Sequence, residues 1–171
     1  VKNDGKYIYT VAGNKVIIID AYPAENMKIL SEIKFEDNVR NIFINDDKLV
    51  VFGDMYEKFD ENSAADKIAA PYYRNTAKTF VNIYDVSDHS NPDLENEILS
   101  DGNYLDARMI GNYVYIVSSQ YIYGDDPILP TFEFNGIEKN VSVVDISYFP
   151  YPDYNFLFNN IFSVNIKNGA H

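Results

Sequence analysis

The chain has 171 residues, which is enough for one domain with a substantial core. Its formal charge is −12, from 14 Lys and Arg against 26 Asp and Glu. Such a charge repels phosphate backbones and anionic membrane surfaces, so we expect no nucleic-acid partner. The sequence has no cysteine, which excludes disulfides and thiolate metal sites, and no long apolar run, so we expect no transmembrane segment in it.

Three phrases along the chain share one plan, a turn signal followed by β-branched and aromatic residues. They are DGKYIYT at 4–10, DDKLVVF at 46–52 and GNYVYIV at 111–117. Runs of this composition are typical of strands, and polar or glycine-containing turns before them are typical of β-hairpins. We therefore predict a hairpin leading into a strand at each of the three places.

A second recurring phrase is an apolar run that ends in aspartate. It occurs as VIIID at 16–20, FVNIYD at 80–85 and VSVVD at 141–145. A turn containing Pro23 or Pro92 follows the first two, and we predict a short strand after each turn, at 27–35 and 94–99. A further strand is predicted ahead of the second and third hairpins, at 39–44 and 104–110. Together the phrases predict a unit of four short strands that is repeated along the chain.

The spacing of the hairpin phrases gives the length of the repeat. Tyr7 and Leu49 are 42 positions apart, close to the roughly 40–45 residues of a four-stranded propeller blade. Leu49 and Tyr113 are 64 positions apart, and a polar insertion near 54–78 accounts for the excess. We expect a surface loop or a short helix around 62–70 in that insertion. The predicted units, all in one domain, are 1–36, 37–101 and 102–171.

Two predicted strands, 16–19 and 49–52, are apolar at every position. A strand of this kind needs cover on both faces. Helices provide that cover in parallel α/β sheets, but the chain leaves little room for helices, and a sandwich predicts cleaner alternation. Stacked blades cover both faces without helices. The predicted fold class is therefore all-β and β-propeller-like, with about three four-stranded antiparallel blades in an incomplete ring.

Several phrases resemble a known family. They are VKNDGKYIY at 1–9, GNKVIIID at 13–20, ARMIGNYVY at 107–115 and YFP at 148–150. They are similar to a family of secreted β-propeller domains from archaea and bacteria, distantly related to WD40 repeats. The turn YDVSDHSNP at 84–92 is similar to that of LVIVD-type propeller repeats. The resemblance implies an extracellular or cell-surface location and brings no catalytic residues with it.

Domains of that family are several times longer than this chain, and about three blades do not close a ring. We expect the first unit to lack its first strand, and the end faces to expose apolar runs such as 16–19. The expected neighbours on these faces are the remainder of the protein's own chain, other copies or a protein partner.

Histidine, the most frequent general base, occurs only as His89 in a predicted turn and as His171 at the terminus. A Ser-His-Asp site needs a positioned histidine, and a terminal one is poorly suited to that role. We predict that the chain is not an enzyme and that it has no catalytic residues.

Oxygen-bearing side chains cluster in the predicted turn at 85–95. Asp85, Asp88 and Asp93 are the candidate metal ligands, and Ca²⁺ is the ion that takes six to eight such oxygens. The spacing fits no EF-hand, and Asp, Asn and Ser also build turns by bonding their own backbone. Of the two interpretations we expect the structural turn and no cofactor, and we extend this to the acidic pair at 125–126.

Residues 147–162 are rich in aromatic side chains. If they are exposed, Tyr148, Phe149, Tyr151 and Tyr154 are candidates to anchor a protein interface or to stack on a carbohydrate. The alternative, which we favour, is a loop that folds back and buries its aromatics against the blades.

The sequence leaves two alternatives for the third strand of the last unit, which is predicted at either 140–146 or 160–166. Asn140 opens the sequon Asn140-Val141-Ser142, a candidate N-glycosylation site if the protein is exported.

The function hypothesis is a non-catalytic extracellular or cell-surface β-propeller segment that acts in protein binding or surface assembly. The alternatives are a carbohydrate- or polymer-binding module, or part of an enzyme whose catalytic residues lie elsewhere.

Overall fold

The structure is a computed structural model that describes residues 1–56, 77–122, 128–151 and 156–169. Two 3₁₀ turns, Ala24–Asn26 and Val143–Asp145, are the only helical segments in these residues, and no helix there is long and apolar enough to cross a membrane. The strands are β1 (Lys2–Asn3), β2 (Tyr7–Val11), β3 (Lys15–Asp20), β4 (Lys28–Lys34), β5 (Asn38–Asn45), β6 (Lys48–Tyr56), β7 (Ala77–Asp85), β8 (Asp93–Asp101), β9 (Asn103–Ile110), β10 (Tyr113–Tyr121), β11 (Thr131–Phe134), β12 (Ile137–Asn140) and β13 (Leu157–Asn165).

The strands form three antiparallel sheets. Sheet 1 has the order β1-β2-β3-β4, sheet 2 the order β12-β11-β8-β7-β6-β5, and sheet 3 the order β13-β10-β9. Sequential strands are neighbours in most of these pairs, as in the meander of a propeller blade. The prediction of an all-β fold with about three antiparallel blades and no closed ring is confirmed.

The same local geometry recurs in each sheet. A residue with a left-handed backbone lies two positions before the hairpin strand, at Gly5, Asp46 and Gly111. The residue after the third strand donates a backbone hydrogen bond to the carbonyl just before the hairpin strand. These bonds are Ala21 N to Lys6 O (3.1 Å), Val86 N to Asp47 O (2.8 Å) and Ile166 N to Asn112 O (2.9 Å). The repeat predicted from the sequence is therefore present in the backbone, and β3, β7 and β13 are equivalent strands.

The third strand of the last unit is β13, within which most of the alternative 160–166 falls. The prediction of a strand at 141–145 is wrong, because Val143–Asp145 forms a 3₁₀ turn. The strand β13 was harder to recognise in the sequence because it ends in Asn165 instead of aspartate. The side-chain amide of Asn165 makes the same contact as an aspartate does: its Oδ1 accepts a hydrogen bond from Lys167 N (3.0 Å), as Asp85 Oδ1 does from Ser87 N (2.8 Å).

Two pairings differ from the expected plan. The first unit does have a first strand, since β1 pairs with β2, so that expectation is wrong. The hairpin β11–β12 lies between β10 and β13 in the sequence, yet β11 pairs with β8 and extends sheet 2. The start of β11 is held in place by Asp101 at the end of β8, whose Oδ2 accepts hydrogen bonds from the backbone N–H (2.7 Å) and the hydroxyl (2.9 Å) of Thr131.

The predicted insertion is bounded by β6, which ends at Tyr56, and β7, which begins at Ala77. The loop or helix expected around 62–70 lies outside the described residues, and so does the acidic pair at 125–126.

Two hydrophobic cores lie on the two sides of sheet 2. One core joins sheet 1 to sheet 2 and includes Tyr9, Ile18, Leu49 and Val51. The other joins sheet 2 to sheet 3, with Val50, Phe52, Ile83, Val114 and Ile116 among its members. Of the two strands predicted to need cover on both faces, 49–52 is buried at all four positions, whereas in 16–19 Ile17 and Ile19 are half-buried. Because neighbouring residues of β6 belong to opposite cores, this strand is covered on both faces.

Candidate binding surface

The segment 141–151 between β12 and β13, which we call the aromatic loop, presents its aromatic side chains to solvent. The exposed fractions are 84% for Tyr148, 83% for Phe149 and 75% for Tyr151. The expectation that this loop buries its aromatics is wrong for these three residues. Tyr154, the fourth candidate, lies outside the described residues.

Short-range hydrogen bonds set the course of the loop. Val141 N donates to the carbonyl of Pro130 (3.1 Å), which ties the start of the loop to the β11–β12 hairpin. Asp145 N donates to the carbonyl of Ser142 (2.9 Å) and closes the 3₁₀ turn. The chain therefore leaves β12 and turns before it reaches the aromatic residues, which follow beyond the turn.

A cleft of about 1190 Å³ lies beside the aromatic loop. Its lining comes from the loop itself, from β13 and the residue before it, and from the β8 and β11 strands of sheet 2. Asp145 is the one charged side chain among the described lining residues. The chief side chains are Ser100, Thr131, Phe132, Tyr148, Phe149, Tyr151, Phe156, Phe158, Asn159, Asn160, Ile161 and Phe162.

Contacts between sheets 2 and 3 fix the inner end of the cleft. The rings of Phe132 and Phe162 meet edge to face, with centroids 4.9 Å apart. Asn160 Nδ2 and Ser118 Oγ each donate to the carbonyl of Asp101, both at 2.9 Å. The part of the cleft lining that comes from β8, β11 and β13 is thus built on strands, which hold side chains more rigidly than loops do.

A family model described as a beta propeller domain matches residues 1–171, which is the whole chain. The chain belongs to this β-propeller domain family. No curated protein and no solved structure matched it. The family resemblance predicted from the sequence is confirmed as far as the propeller domain, and the three sheets are interpreted as its blades.

The candidate metal ligands of the β-propeller domain are engaged in turn and ion-pair contacts. Asp85 Oδ2 lies 2.6 Å from Lys48 Nζ, and the same ammonium lies 2.8 Å from Glu95. The hydrogen bond from Lys48, with those from Ser87, holds the pKa of Asp85 well below its usual value. Asp88 Oδ1 accepts a hydrogen bond from Ser90 N (2.9 Å).

Asp93, the third candidate, begins β8 and is paired with Asp85 across the ladder. Within the described residues, no group of three or more His, Cys, Asp and Glu side chains is arranged to hold a metal ion. The contacts are those of a structural turn, and the absence of calcium stays a prediction.

The sequon residue Asn140 is the last residue of β12 and is exposed. Its Cα is paired with that of Thr131 on β11. The side chain is accessible in the β-propeller domain, and its glycosylation stays a prediction.

His89 connects sheet 1 with the turn after β7, a role that sequence analysis did not foresee. Its ring stacks on that of Tyr7 with centroids 3.6 Å apart, and Nε2 lies 3.8 Å from Asp4 Oδ2. Ser31 Oγ donates to the His89 carbonyl (2.7 Å), so this serine bonds the backbone and not the ring. His89 lies more than 50 positions from Tyr7 and Ser31 in the sequence, so no local sequence pattern predicts these contacts.

The carboxylate of Asp4 is the polar centre of this contact. It accepts hydrogen bonds from the Tyr9 hydroxyl (2.8 Å) and from the backbone N–H groups of Lys6 and Tyr7. Partial burial raises the pKa of Asp4, but these hydrogen bonds together with His89 outweigh it, so the pKa lies below its usual value. Asp4 is therefore ionised at neutral pH and fixes the turn before β2.

Proposed function

We propose that the chain is a non-catalytic, extracellular or cell-surface β-propeller domain that acts in protein binding or surface assembly. The observation that carries the proposal is the exposure of Tyr148, Phe149 and Tyr151 beside a cleft. Aromatic side chains contribute most to the free energy of protein interfaces, and contiguous exposed apolar surface marks interaction sites in soluble proteins.

The charge distribution supports a partner that is neutral or basic. The whole chain carries −12, but the cleft itself contributes only Asp145 among its described lining residues. The surrounding field would attract basic partners and the nearly uncharged cleft would bind apolar groups without leaving a buried charge unpaired.

The cleft lining also supports a binding role over catalysis. General acid–base catalysis needs positioned groups that exchange protons near neutral pH. The described lining has no histidine, and Asp145 is its one carboxylate.

A second candidate function is carbohydrate binding in the same cleft. Asn159 and Asn160 line it together with the aromatic rings, and amides beside aromatic faces suit sugar hydroxyls and sugar rings. This candidate predicts binding of oligosaccharides and indifference to polypeptides.

Selection of peptides from a random library displayed on phage tests the binding proposal. The double variant Tyr148→Ser and Phe149→Ser should bind the selected peptides at least about tenfold more weakly, since two anchors at about 1–2 kcal/mol each are lost. Tyr22→Ser is the matched control and should leave affinity unchanged, because Tyr22 is an exposed tyrosine in the connection between β3 and β4 and does not line the cleft.

Failure to select any peptide, or peptides that bind both variants equally well, would overturn protein binding by this surface. A glycan array probed with the same proteins decides the alternative, which requires sugar binding that the double variant loses. The proposed location is tested with intact cells of the source organism, where added protease should remove the domain.

A further inference from the structure

The turn of the β11–β12 hairpin is the dipeptide Asn135-Gly136, whose residues both have left-handed backbones, with φ of 49° and 79°. Both residues are exposed, and no heavy atom beyond the neighbouring residues lies within 4 Å of the position that a Cβ of Gly136 would occupy. Two-residue hairpin turns favour Asn-Gly because both positions need a positive φ. The same dipeptide is chemically reactive, because a glycine N–H that no side chain shields can attack the amide carbon of the asparagine before it.

The chain contains two Asn-Gly dipeptides, at 135–136 and 168–169, and they differ in the state of the attacking N–H. Gly169 N donates a hydrogen bond to the carbonyl of Asn165 (2.8 Å). Gly136 N donates to no described residue and lies in an exposed turn. Of the two dipeptides, Asn135-Gly136 is therefore the one with a free nucleophile.

The side chain of Asn135, in contrast, is held by strand β8. Its Oδ1 accepts a hydrogen bond from Glu97 N (2.8 Å), and its Nδ2 donates to Asn96 Oδ1 (3.2 Å). The backbone N–H of Asn135 donates to the carbonyl of Glu97 (2.9 Å), so Asn135 bonds both backbone groups of one residue of β8. Because both ends of the amide are held, its carbon is not free to turn toward Gly136 N.

The attachment of the hairpin to β8 is short. The ladder between β8 and β11 consists of three residue pairs, whereas the ladder between β6 and β7 consists of nine. Local opening needs less free energy where fewer bonds and contacts must break. We therefore expect the hairpin to leave β8 transiently while the centre of sheet 2 stays formed.

We infer that Asn135 is a site of spontaneous deamidation, and that docking of the β11–β12 hairpin on β8 controls the reaction. In the docked hairpin the bonds to Asn96 and Glu97 hold the amide and suppress the reaction. In the undocked hairpin the turn is a solvent-exposed Asn-Gly peptide and reacts as one. This covalent modification is independent of the proposed binding function.

The reaction needs only water. Gly136 N loses its proton to hydroxide and forms a bond to Cγ of Asn135, the bond from Cγ to Nδ2 breaks, and ammonia leaves after taking a proton from water. The product is a five-membered succinimide in which Gly136 N joins two carbonyl carbons. Water then breaks one of these two bonds. Opening at Cγ gives aspartate, and opening at the main-chain carbonyl gives isoaspartate, whose main chain runs through the side-chain methylene.

The two products differ in their effect on the hairpin. Aspartate keeps an oxygen that accepts from Glu97 N, and its second oxygen accepts from the Asn96 amide once that amide has turned its Nδ2 inward. Isoaspartate adds an atom to the main chain of a two-residue turn, so the hairpin register and the bonds to Glu97 are not kept together. The isoaspartate form therefore makes a transient opening permanent.

The first experiment ages the whole chain in mildly alkaline buffer and follows deamidation of Asn135 by mass spectrometry of its proteolytic fragments. The free peptide 131–140 is the unprotected reference, and the protein should react at least about a hundredfold more slowly. Phe134→Ala removes a ring that packs into the core between sheets 2 and 3, next to the turn. This variant should react at least about tenfold faster than the wild type, because the open hairpin is more populated.

Two further variants separate docking from overall stability. Ile18→Ala weakens the core between sheets 1 and 2, and it should leave the deamidation rate unchanged. Asn96→Ala removes only the acceptor for Asn135 Nδ2 and should raise the rate about fivefold. Since it leaves the core intact, Asn96→Ala also tests the inference if Phe134→Ala does not fold.

Hydrogen exchange of the Glu97 amide gives a second readout, because this N–H is bonded to Asn135 Oδ1. In each variant its exchange should accelerate by the same factor as deamidation, since one opening exposes both groups. In aged protein, the isoaspartate fraction should have lost the protection of the Glu97 amide.

Four outcomes overturn the inference. Equal rates in the protein and the free peptide would show that docking does not protect Asn135. Faster Glu97 exchange without faster deamidation would show that the open turn is unreactive. Equal acceleration by Ile18→Ala and Phe134→Ala would assign the reaction to global unfolding, and full protection of the Glu97 amide in the isoaspartate form would show that the hairpin docks again.

Discussion

Strands β6 and β3 have the same uniformly apolar pattern but different surroundings. In β6 the four consecutive residues Leu49, Val50, Val51 and Phe52 are completely buried. In β3, Val16 and Ile18 are completely buried, whereas Ile17 and Ile19 between and beside them are half-buried. Among the described residues, β6 lies in a sheet that has another sheet packed on each face, and β3 lies in a sheet that has another sheet packed on one face.

An apolar pattern indicates that a strand is suited to burial on both faces. How much of each side chain is buried depends on which sheets pack against the strand. Burial of apolar area contributes roughly 25 cal/mol per Å². Position for position, sheet 2 therefore contributes more to stability than sheet 1, although the two sequences look equally hydrophobic.

The largest expected effect is in the central sheet. Leu49→Ala should lower the free energy of unfolding by about 2–5 kcal/mol and Phe52→Ala by about 3–5 kcal/mol, because each leaves a cavity in a packed core. The two residues face opposite cores, so similar losses would show that both faces of sheet 2 are covered. Urea unfolding followed by tyrosine fluorescence measures both, and a loss below about 1 kcal/mol at either position would contradict the comparison.

The next effect is a difference within one strand of sheet 1. Ile18→Ala should cost about 2–5 kcal/mol, whereas Ile17→Ala should cost about 1 kcal/mol or less, because Ile17 is half-buried on the face of sheet 1 against which none of the described sheets packs. The same unfolding experiment tests the pair. Equal losses at the two positions would mean that the outer face of sheet 1 is covered in solution.

A smaller effect concerns the aspartates that end the third strands. Asp85 is paired with the largely buried Lys48, whereas Asp20 Oδ1 has no hydrogen-bond partner among the described residues. At pH 7, Asp85→Asn should destabilise the domain more than Asp20→Asn does. A uniform effect of the two substitutions would contradict the difference between the sheets.

The Asp85 effect should depend on pH in a defined direction. The folded-state pKa of Asp85 lies below the value of about 3.9 expected in the unfolded chain. Its contribution to stability is therefore present above pH 4 and disappears as the pH falls through the folded-state value. The difference in unfolding free energy between wild type and Asp85→Asn should shrink below pH 4, and a difference that grows there would show the opposite sign.

The smallest effect is expected in the exposed turn of the central sheet. Asp88→Ala removes the acceptor for Ser90 N and should cost at most about 1 kcal/mol. Millimolar calcium should not change the melting temperature of either protein. A rise that a chelator reverses and that Asp88→Ala abolishes would show a calcium site.

Much of the fold could be predicted from the sequence, because the hairpin phrases are local and repeated. The pairings that escaped prediction are those without a local repeat. The hairpin β11–β12 has Asn135-Gly136 at its turn, the strongest short-range hairpin signal, so its existence was predictable. Its pairing with β8 was not, because the partner strand lies more than 30 residues away and no local pattern specifies it.

The candidate site could be predicted only in part. The aromatic residues at 148–151 stand out in the sequence, but their exposure is a tertiary property, because it depends on which of the other described elements pack against them. The strand β13 was obscured because Asn159 and Asn160 interrupt its apolar residues. Asn160 turns out to bond the Asp101 carbonyl, so a polar residue there is satisfied inside the fold.

The hairpin β11–β12 has a mechanical consequence. It follows β10 of sheet 3 in the chain, but β11 is hydrogen-bonded to β8 of sheet 2. Separating the two sheets would therefore require breaking the β8–β11 hydrogen bonds as well as the Phe132–Phe162 contact. Among the described residues, no strand pairing links sheets 1 and 2, which meet through side-chain packing and contacts such as that of His89. Pulled from its two ends in optical tweezers, the domain should release sheet 1 at the lower force, and sheets 2 and 3 should then yield together.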